Sequence, residues 1–186
     1  MDTNASLYGD LTQVLVSRDE IAAAVKNLGQ RITEDYKGKE LMLVGILKGA
    51  VVFFADLVRE IDLPLKMEFM AVSSYGATTK TTGVVKLVKD LTVDITGMHV
   101  LIVEDIVDSG MTLSYLSKYL ETRGAASIKI ATLLDKPERR RVDLKADYFC
   151  FTIPDKFVVG YGLDYDEKYR NLPDIGVLDP RVYSGN

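Results

Sequence analysis

Apolar runs of strand length alternate with helical segments along this chain, and this alternation limits its fold more than any other feature. The runs "ELMLVGIL" (residues 40–47) and "HVLIVEDIV" (residues 99–107) are mostly apolar, as in strands that are covered on both faces. Further strands are predicted at "LKMEFMAVSSYG", "GVVKLVKDL", "SIKIATLLDK" and "DYFCFTIPD". Strands that alternate with helices form mainly parallel sheets, so we expect an α/β fold with helices flanking a central, mainly parallel twisted sheet.

Helical periodicity separates these strands. "SRDEIAAAVKNLGQRI" opens with Ser17 and Glu20 at the spacing of a capping box, and its apolar residues recur on one face. "AVVFFADLVREI" predicts a second helix, and "TLSYLSKYLETRG" predicts a third that stops at Gly124. With 186 residues, a single domain spanning residues 1–186 is expected.

Charge and composition disfavour several classes of protein. A net charge of −4 disfavours a nucleic-acid partner, because such proteins usually carry a basic stripe. Lys48 and Asp56 interrupt the most apolar region, and a bilayer span needs about 20 apolar residues, so we expect no membrane partner. The sequence also lacks a secretory signal pattern, which favours a cytoplasmic protein. The single cysteine, Cys150, and the single histidine, His99, are expected to have structural roles.

The stretch "VLIVEDIVDSGMT" (residues 100–112) joins a buried strand to an acidic, then small and polar, turn. The apolar run leads into Glu104 and Asp105, and Asp108 stands just before "SGMT" and the start of a helix. Ligands of such sheets bind at the carboxyl ends of the strands. This stretch therefore predicts the functional site, with an acidic surface loop after a core strand as the alternative.

The two halves of the stretch suit different chemical groups. Ser109 and Gly110 permit a tight turn whose N–H groups converge ahead of a helix, which suits a phosphate, and Thr112 adds a hydroxyl. Glu104 and Asp105 would repel a bare phosphate but suit sugar hydroxyls or a divalent cation. A phosphorylated ribose satisfies both halves, and neither a Walker A motif nor a dinucleotide-binding glycine turn is present.

The chain resembles the type I phosphoribosyltransferases, and among them the bacterial enzymes that act on hypoxanthine and guanine. The resemblance rests on "VEDIVDSGMT", the phosphoribosyl pyrophosphate signature, and on "GILKGAVVFFADL", "SSYG", "LLDKP", "IPDKFVVGYGLDY" and "YRNLP" in the same order. It implies the type I phosphoribosyltransferase fold, with a small hood and a flexible lid loop.

The resemblance also implies roles for the residues that bind the phosphorylated sugar. The ribose and 5'-phosphate residues would be Glu104, Asp105, Asp108, Ser109, Gly110, Met111 and Thr112. The pyrophosphate residues would be Lys48, Gly49, Ser74, Tyr75 and Arg170. A non-proline cis peptide is typical of the "LKG" loop in this family, and the lid "SSYGATTKTTG" would exclude water from the reacting ribose. Asp108 would be the catalytic acid and base at purine N7.

Base and metal sites follow from the same resemblance. The purine residues would be Lys136, Phe157, Val158 and Asp164, and Glu104, Asp105 and Asp164 would support Mg²⁺. Lysine donates hydrogen bonds and accepts none. Lys136 would therefore bind the 6-oxo group of a purine and would discriminate against adenine, whose 6-amino group is also a donor. Residue type alone supports a simpler alternative for three of these positions. Lys48 and Lys136 are also typical of exposed surface charges, and Phe157 is also typical of a core residue.

The activity implied is transfer of 5-phosphoribosyl from phosphoribosyl pyrophosphate to N9 of hypoxanthine or guanine, giving IMP or GMP and pyrophosphate. A xanthine-preferring enzyme is the first alternative, since xanthine also has a 6-oxo group. The second is a non-catalytic regulator that senses phosphoribosyl pyrophosphate, although such a protein would be expected to lose Asp108 or to gain a basic face. The family is usually dimeric or tetrameric, so we expect a homodimer or homotetramer. We assign no role to Met111 or to the segment "DPRVYSGN".

Overall fold

A six-stranded sheet forms the centre of this computed structural model, which describes residues 6–74 and 85–184. In chain order the elements are β1 (Leu11–Val16), α1 (Arg18–Asp35), β2 (Leu41–Leu47), α2 (Val51–Arg59), β3 (Leu65–Ser74), β4 (Val85–Lys89), β5 (His99–Val107), α3 (Met111–Glu121), β6 (Ser127–Asp135), β7 (Tyr148–Thr152), β8 (Val158–Val159), β9 (Ile175–Leu178) and α4 (Pro180–Tyr183), with 3-10 helices at Leu7–Asp10 and Pro137–Arg139. The central sheet has the order β4-β3-β2-β5-β6-β7. Strands β2, β3, β5, β6 and β7 run parallel, whereas β4 is antiparallel to β3. The predicted mainly parallel sheet is confirmed.

The register of the sheet places three strand ends at one edge. Gly45 of β2 lies beside Val103 of β5, which in turn lies beside Ala131 of β6. Val107, at the end of β5, pairs with Asp135, at the end of β6. Residues that follow β2, β5 and β6 therefore meet at the carboxyl edge, where ligands of such sheets bind.

Apolar side chains that alternate along the strands build a core on each face of the sheet. On one face, Leu43 and Leu101 belong to the same buried cluster as Phe53 of α2 and the apolar face of α1. On the other, Val44 and Ile102 belong to a second cluster with the apolar face of α3. This two-sided burial explains why β2 and β5 are almost continuously apolar.

The predicted helix ends are present. Ser17 and Glu20 form the capping box of α1, in which the Ser17 N–H donates to Glu20 Oε2 at 2.8 Å. An N-cap of this kind contributes about 1 kcal/mol. Gly124, shortly after α3, has a φ of 79°, a left-handed conformation that favours glycine and stops the helix.

A small antiparallel sheet, β1-β9-β8, stands beside the central one and forms the expected hood. Its strands were missed by the pattern analysis, which placed the last strand at β7. β8 has only two residues, and β1 is largely exposed, so neither shows a clear apolar period. Among the residues that the structure describes, no helix is long and apolar enough to span a membrane.

Cys150 and His99 have the structural surroundings expected of them. Cys150 is half-buried and packs against the main core, and burial raises the pKa of its thiol to about 12. The Nδ1 atom of His99 lies 2.7 Å from Ser127 Oγ on the neighbouring strand. Neither residue lines the cavities described below.

Candidate active site

A cavity of about 300 Å³ opens at the carboxyl edge of the sheet, between the ends of β2 and β5 and the start of α3. Its wall is formed by Ile46, Leu47, Gly49, Val72, Glu104, Asp105, Ile106, Val107, Asp108, Ser109, Gly110, Thr112 and Leu113. Most of the signature stretch identified in the sequence therefore faces one space.

Glu104 and Asp105 form an acidic pair on the wall of this cavity. The Asp105 N–H donates to Glu104 Oε1 at 3.1 Å, and the Ile106 N–H donates to Asp105 Oδ1 at 2.7 Å. Burial, followed by the charge of Asp105, raises the pKa of Glu104 well above its usual range, and burial also raises the pKa of Asp105. Two adjacent carboxylates that are costly to ionise suit a cation or hydroxyl donors.

The loop after β2 packs directly on this acidic pair. The bond between Leu47 and Lys48 is a non-proline cis peptide, as the resemblance implies. A Cβ atom on Gly49 would lie 1.7 Å from Asp105 Oδ2, and a Cβ on Gly162 would lie 2.1 Å from the Gly49 carbonyl oxygen. Both glycines therefore allow backbone to approach the site where any side chain would collide.

The two basic residues predicted to bind pyrophosphate are paired with acids and do not line this cavity. Lys48 Nζ is 3.0 Å from Glu167 Oε2, and both side chains are largely exposed. Arg170 is mostly buried, donates to the Gly162 carbonyl at 2.8 Å and pairs with Asp164 Oδ1 at 2.9 Å. Its charge also lowers the pKa of Asp105, although burial of that carboxyl has the larger, opposite effect. Arg170 Nε is buried without a hydrogen-bond partner among the described residues.

The structure does not bring together the three carboxylates predicted to support the metal. Asp164 is engaged by Arg170 and by the Glu167 N–H at 2.9 Å, and it does not line the cavity. Within residues 6–74 and 85–184, no three acidic, histidine or cysteine side chains could hold a metal ion by themselves. A cation beside Glu104 and Asp105 would therefore need ligands from a bound substrate.

The turn after β5 leads into α3 through Gly110, whose φ of 78° is left-handed. Ser109, Gly110 and Thr112 line the cavity, whereas the Met111 side chain does not. The Met111 N–H lies 3.4 Å from Ser109 Oγ at the start of the helix. Met111 can thus contribute its backbone N–H to an anion site without a side-chain role.

A second cavity, of about 420 Å³, lies beside the first and shares Ile106 and Asp108 with it. Its other lining residues are Lys136, Arg139, Asp155, Phe157, Val158, Leu163 and Tyr183. The structure thus places three of the four predicted purine residues around one space, with Asp164 outside it.

Lys136 is buried in this second cavity, with 7% of its surface exposed. Its Nζ donates to the Lys156 carbonyl at 2.5 Å and lies 3.7 Å from Asp155 Oδ1. Phe157 is 42% exposed and lines this cavity, where an aromatic ring can contact a planar ligand. The buried ammonium and the exposed ring contradict the readings of Lys136 as an exposed charge and of Phe157 as core.

Asp108 stands between the two cavities and has a partner that the sequence did not reveal. Arg139 Nε lies 2.8 Å from Asp108 Oδ1, and Arg139 Nη1 lies 3.3 Å from Asp155 Oδ2. The charge of Asp108, followed by the hydrogen bond that Arg139 donates to Asp155, raises the pKa of the Arg139 guanidinium. The one sequence feature that could have indicated this partner is the run of three arginines after "LLDKPE", but such a run is also typical of a solvated surface.

Two predicted pyrophosphate residues cannot be placed fully. Ser74 ends β3, so its backbone stands at the carboxyl edge of the sheet. Tyr75 and the rest of the predicted lid up to Gly83 lie outside the described residues.

The chain is similar to known proteins over most of its length. Residues 15–166 match the phosphoribosyl transferase domain family. The hypoxanthine-guanine phosphoribosyltransferase of Streptococcus pneumoniae R6 is 58% identical over 96% of this chain and 99% of its own length. The enzyme of that name from Bacillus subtilis is 55% identical over 94% of this chain and 97% of its own length. A crystal structure of a Staphylococcus aureus hypoxanthine phosphoribosyltransferase superposes with a TM-score of 0.93 at 49% identity, covering 98% of this chain and 99% of that one. The chain therefore belongs to the phosphoribosyl transferase domain family.

Proposed function

We propose that this protein transfers the 5-phosphoribosyl group from phosphoribosyl pyrophosphate to N9 of hypoxanthine or guanine, with IMP or GMP and pyrophosphate as products. One observation carries the proposal: the first cavity, which has the features of a phosphate site, and the second cavity, which has the features of a base site, share the carboxylate residue Asp108. That junction is where a bond between ribose and base has to form. The relatives that carry this enzyme name cover almost the whole chain, which supports the proposal.

The base cavity favours a 6-oxo purine. Lys136 is buried and charged, and an ammonium donates hydrogen bonds but accepts none. A 6-oxo group can replace the Lys156 carbonyl as its acceptor, whereas the 6-amino group of adenine would face it as a second donor. Phe157 would stack on the base, and the backbone at Val158 would contact its edge.

Asp108 would move the proton that the base loses. As N9 bonds to the ribose, the purine must release a proton, and a carboxylate within hydrogen-bond reach of N7 can accept it. General bases of this kind typically accelerate a reaction by about 10²–10⁴-fold. In the structure Asp108 faces Arg139, so this arginine has to share or release the carboxylate when a base enters.

Glu104 and Asp105 would hold the ribose hydroxyls and favour Mg²⁺ beside them. Burial raises the pKa of both carboxyl groups, so their ionised forms are costly without a counter-charge that a divalent cation would supply, and the donor set fits the metal. When bound, Mg²⁺ would neutralise charge on the leaving pyrophosphate. Asp164 is kept from this pair by Arg170, and we propose for it a role at the base side or through water.

The remaining groups would bind the phosphates. Backbone N–H groups from Asp108 to Thr112 would bind the 5'-phosphate ahead of α3. Pyrophosphate would be bound by the loop at Lys48 and Gly49, by Arg170, and by Ser74 with Tyr75. We further propose a homodimer or homotetramer in the cytoplasm.

An assay with separate bases tests the proposal. Purified protein with phosphoribosyl pyrophosphate and Mg²⁺ is offered hypoxanthine, guanine, xanthine and adenine, and nucleotides are separated by chromatography. We expect IMP and GMP and no AMP. Replacing Lys136 by methionine should raise the KM for hypoxanthine by tenfold or more, because a hydrogen bond from a charged donor is worth about 1.5–3 kcal/mol. Lys118→Met, an exposed lysine on α3, serves as the control. Binding of phosphoribosyl pyrophosphate without nucleotide formation would favour the regulator instead.

A further inference from the structure

Three successive carbonyl groups of the turn after β5 accept hydrogen bonds from one segment, residues 136–141. Val107 O accepts from the Lys136 N–H at 2.9 Å, and Ser109 O accepts from the Arg141 N–H at 3.0 Å. Between them, Asp108 O accepts from Arg140 Nη1 at 2.6 Å. Two of these bonds use backbone donors, and the middle one depends on the Arg140 side chain alone.

Arg140 is built into the fold as a two-armed contact. Its second arm, Nη2, pairs with the carboxylate of Asp135 at the end of β6. Both side chains are mostly buried, at 14% exposed for Arg140 and 16% for Asp135. The guanidinium fork therefore ties the end of β6 to the turn after β5, and a buried pair of this kind is strongly directional.

The turn also rests on the aliphatic part of Arg140. A Cβ atom on Gly110 would lie 3.0 Å from Arg140 Cδ and 3.1 Å from Val142 Cγ2. The turn thus packs against this segment without space for a side chain between them.

The direction of these carbonyls fixes the direction of the N–H groups. In a trans peptide unit the carbonyl and the following N–H point to opposite sides. Because the carbonyls of Val107, Asp108 and Ser109 point toward residues 136–141, the N–H groups of Asp108, Ser109 and Gly110 point away from that segment. A ligand on that opposite side meets a row of donors.

We propose that Arg140 is a positioning residue that holds the turn Asp108–Thr112 in its anion-binding form, and that Asp135 anchors Arg140. The proposal rests on the function proposed above, since it names what orients the 5'-phosphate site. Arg140 does not line either cavity that would hold substrate, so its effect passes through the backbone of Asp108.

The test compares binding of the two substrates. Arg140→Met keeps the aliphatic contact with Gly110 and removes both arms. We expect the dissociation constant of phosphoribosyl pyrophosphate with Mg²⁺, measured by calorimetry without base, to rise about tenfold to a hundredfold, the range for a lost hydrogen bond to a charged donor. The KM for hypoxanthine should change by less than about threefold, since this variant keeps the side chains that line the base cavity.

Two further variants keep the test valid if Arg140→Met folds poorly. Arg140→Lys retains the charge but cannot reach both acceptors, and Asp135→Asn leaves Arg140 without its anchoring charge. Both variants should raise the dissociation constant of phosphoribosyl pyrophosphate, as Arg140→Met does. Arg141→Met is the matched control, because Arg141 is exposed and contacts the turn through its backbone N–H. This variant should bind phosphoribosyl pyrophosphate as tightly as the wild type.

The outcomes separate this proposal from the proposed function. If the wild type does not bind phosphoribosyl pyrophosphate, the proposed function fails. If the wild type binds it and the Arg140 and Asp135 variants bind it equally well, only the positioning role fails. Equal losses for both substrates would also overturn it, since they would indicate a general structural defect.

Discussion

Asp105 Oδ2 occupies the space beside Gly49 so closely that a Cβ atom on the glycine would lie 1.7 Å from it. The contact joins the end of β2 to the end of β5, the two central strands of the sheet. The Asp105 carboxylate is thereby held against the loop proposed to bind pyrophosphate. In the proposed function, the spacing between the ribose site and the leaving-group site depends on a residue that has no side chain.

Gly49→Ala should therefore be severe. The new methyl group must displace either the Asp105 carboxylate or the loop, and we expect kcat/KM for phosphoribosyl pyrophosphate to fall by about a hundredfold or more, as misplacement by about 1 Å does elsewhere. Gly9→Ala is the control, because a Cβ on Gly9 has no atom within 4 Å. Steady-state kinetics of both variants provide the check, and near-normal activity of Gly49→Ala would show that the loop adjusts freely.

Gly110→Ala should combine backbone strain with a steric conflict. Gly110 and Gly97 have similar φ values, 78° and 76°, so alanine is strained at both positions by about 1 kcal/mol. At Gly97 the new Cβ meets open space, whereas at Gly110 it meets Arg140 and Val142. We expect a loss of thermal stability in both variants that is larger in Gly110→Ala, and a raised KM for phosphoribosyl pyrophosphate in Gly110→Ala alone. Equal KM values in the two variants would argue against a role for this turn.

Glu104→Gln should stabilise the ligand-free protein at pH 7. Burial and the neighbouring charge of Asp105 raise the pKa of Glu104 above its ordinary value of 4.5. A raised pKa in the folded state means that stability is complete below the unfolded pKa and declines as pH rises toward the folded pKa. Removing the charge should raise the Tm at pH 7 by about 2–4 °C, which is the shift that about 1 kcal/mol of stability gives in a domain of this length. It should also flatten the decline in Tm above pH 4.5.

Calorimetric melts between pH 4 and pH 8 check this prediction. Glu121→Gln, an exposed glutamate at the end of α3, should leave the curve unchanged. A Tm of Glu104→Gln at or below that of the wild type at pH 7 would mean that the folded protein does not disfavour the Glu104 charge.

Tyr183 should contribute to base binding, although the sequence suggested no role for its segment. Its ring contacts Phe157 at 5.1 Å between centroids with an interplanar angle of 31°, and it lines the base cavity. α4 is anchored by the Asp179 N–H, which donates to the Asp10 carbonyl at 2.8 Å. Tyr183→Ala should raise the KM for hypoxanthine by about two- to tenfold, the worth of one aromatic contact, with the KM for phosphoribosyl pyrophosphate unchanged.

The conservative variant Tyr183→Phe should restore the KM for hypoxanthine, because it keeps the ring. Tyr115→Ala, at an exposed ring on α3, controls for the loss of a surface tyrosine. If Tyr183→Ala and Tyr115→Ala behave alike, Tyr183 has no part in the base site.

The sequence predicted those parts of the site that are continuous along the chain. β5 and the turn that follows it appear as one apolar run, a set of acids and a Ser-Gly pair, and the structure brings Glu104, Asp105 and Asp108 to one cavity wall. The almost continuously apolar sequences of β2 and β5 also predicted that both faces of these strands are covered, as the structure shows.

The parts that were missed depend on contacts between distant segments. From the sequence, Arg139 and Arg140 are typical of surface charges. In the structure Arg139 pairs with the Asp108 carboxylate, and Arg140 donates to the Asp108 carbonyl. Asp164 was expected at the base side or in the metal region, whereas the structure pairs it with Arg170 and places it outside both cavities. The short strands of the hood lack the length that a periodic pattern needs.

The most direct test of the account is the rate of Asp108→Asn with phosphoribosyl pyrophosphate and hypoxanthine. The amide keeps the size of the side chain but cannot accept a proton, so kcat should fall by about 10²–10⁴-fold. The dissociation constant of phosphoribosyl pyrophosphate should stay within about threefold of the wild-type value, since the phosphate contacts are proposed to come from the backbone of the turn. A kcat within threefold of wild type would contradict the central claim that this carboxylate, at the junction of the two cavities, carries the proton transfer.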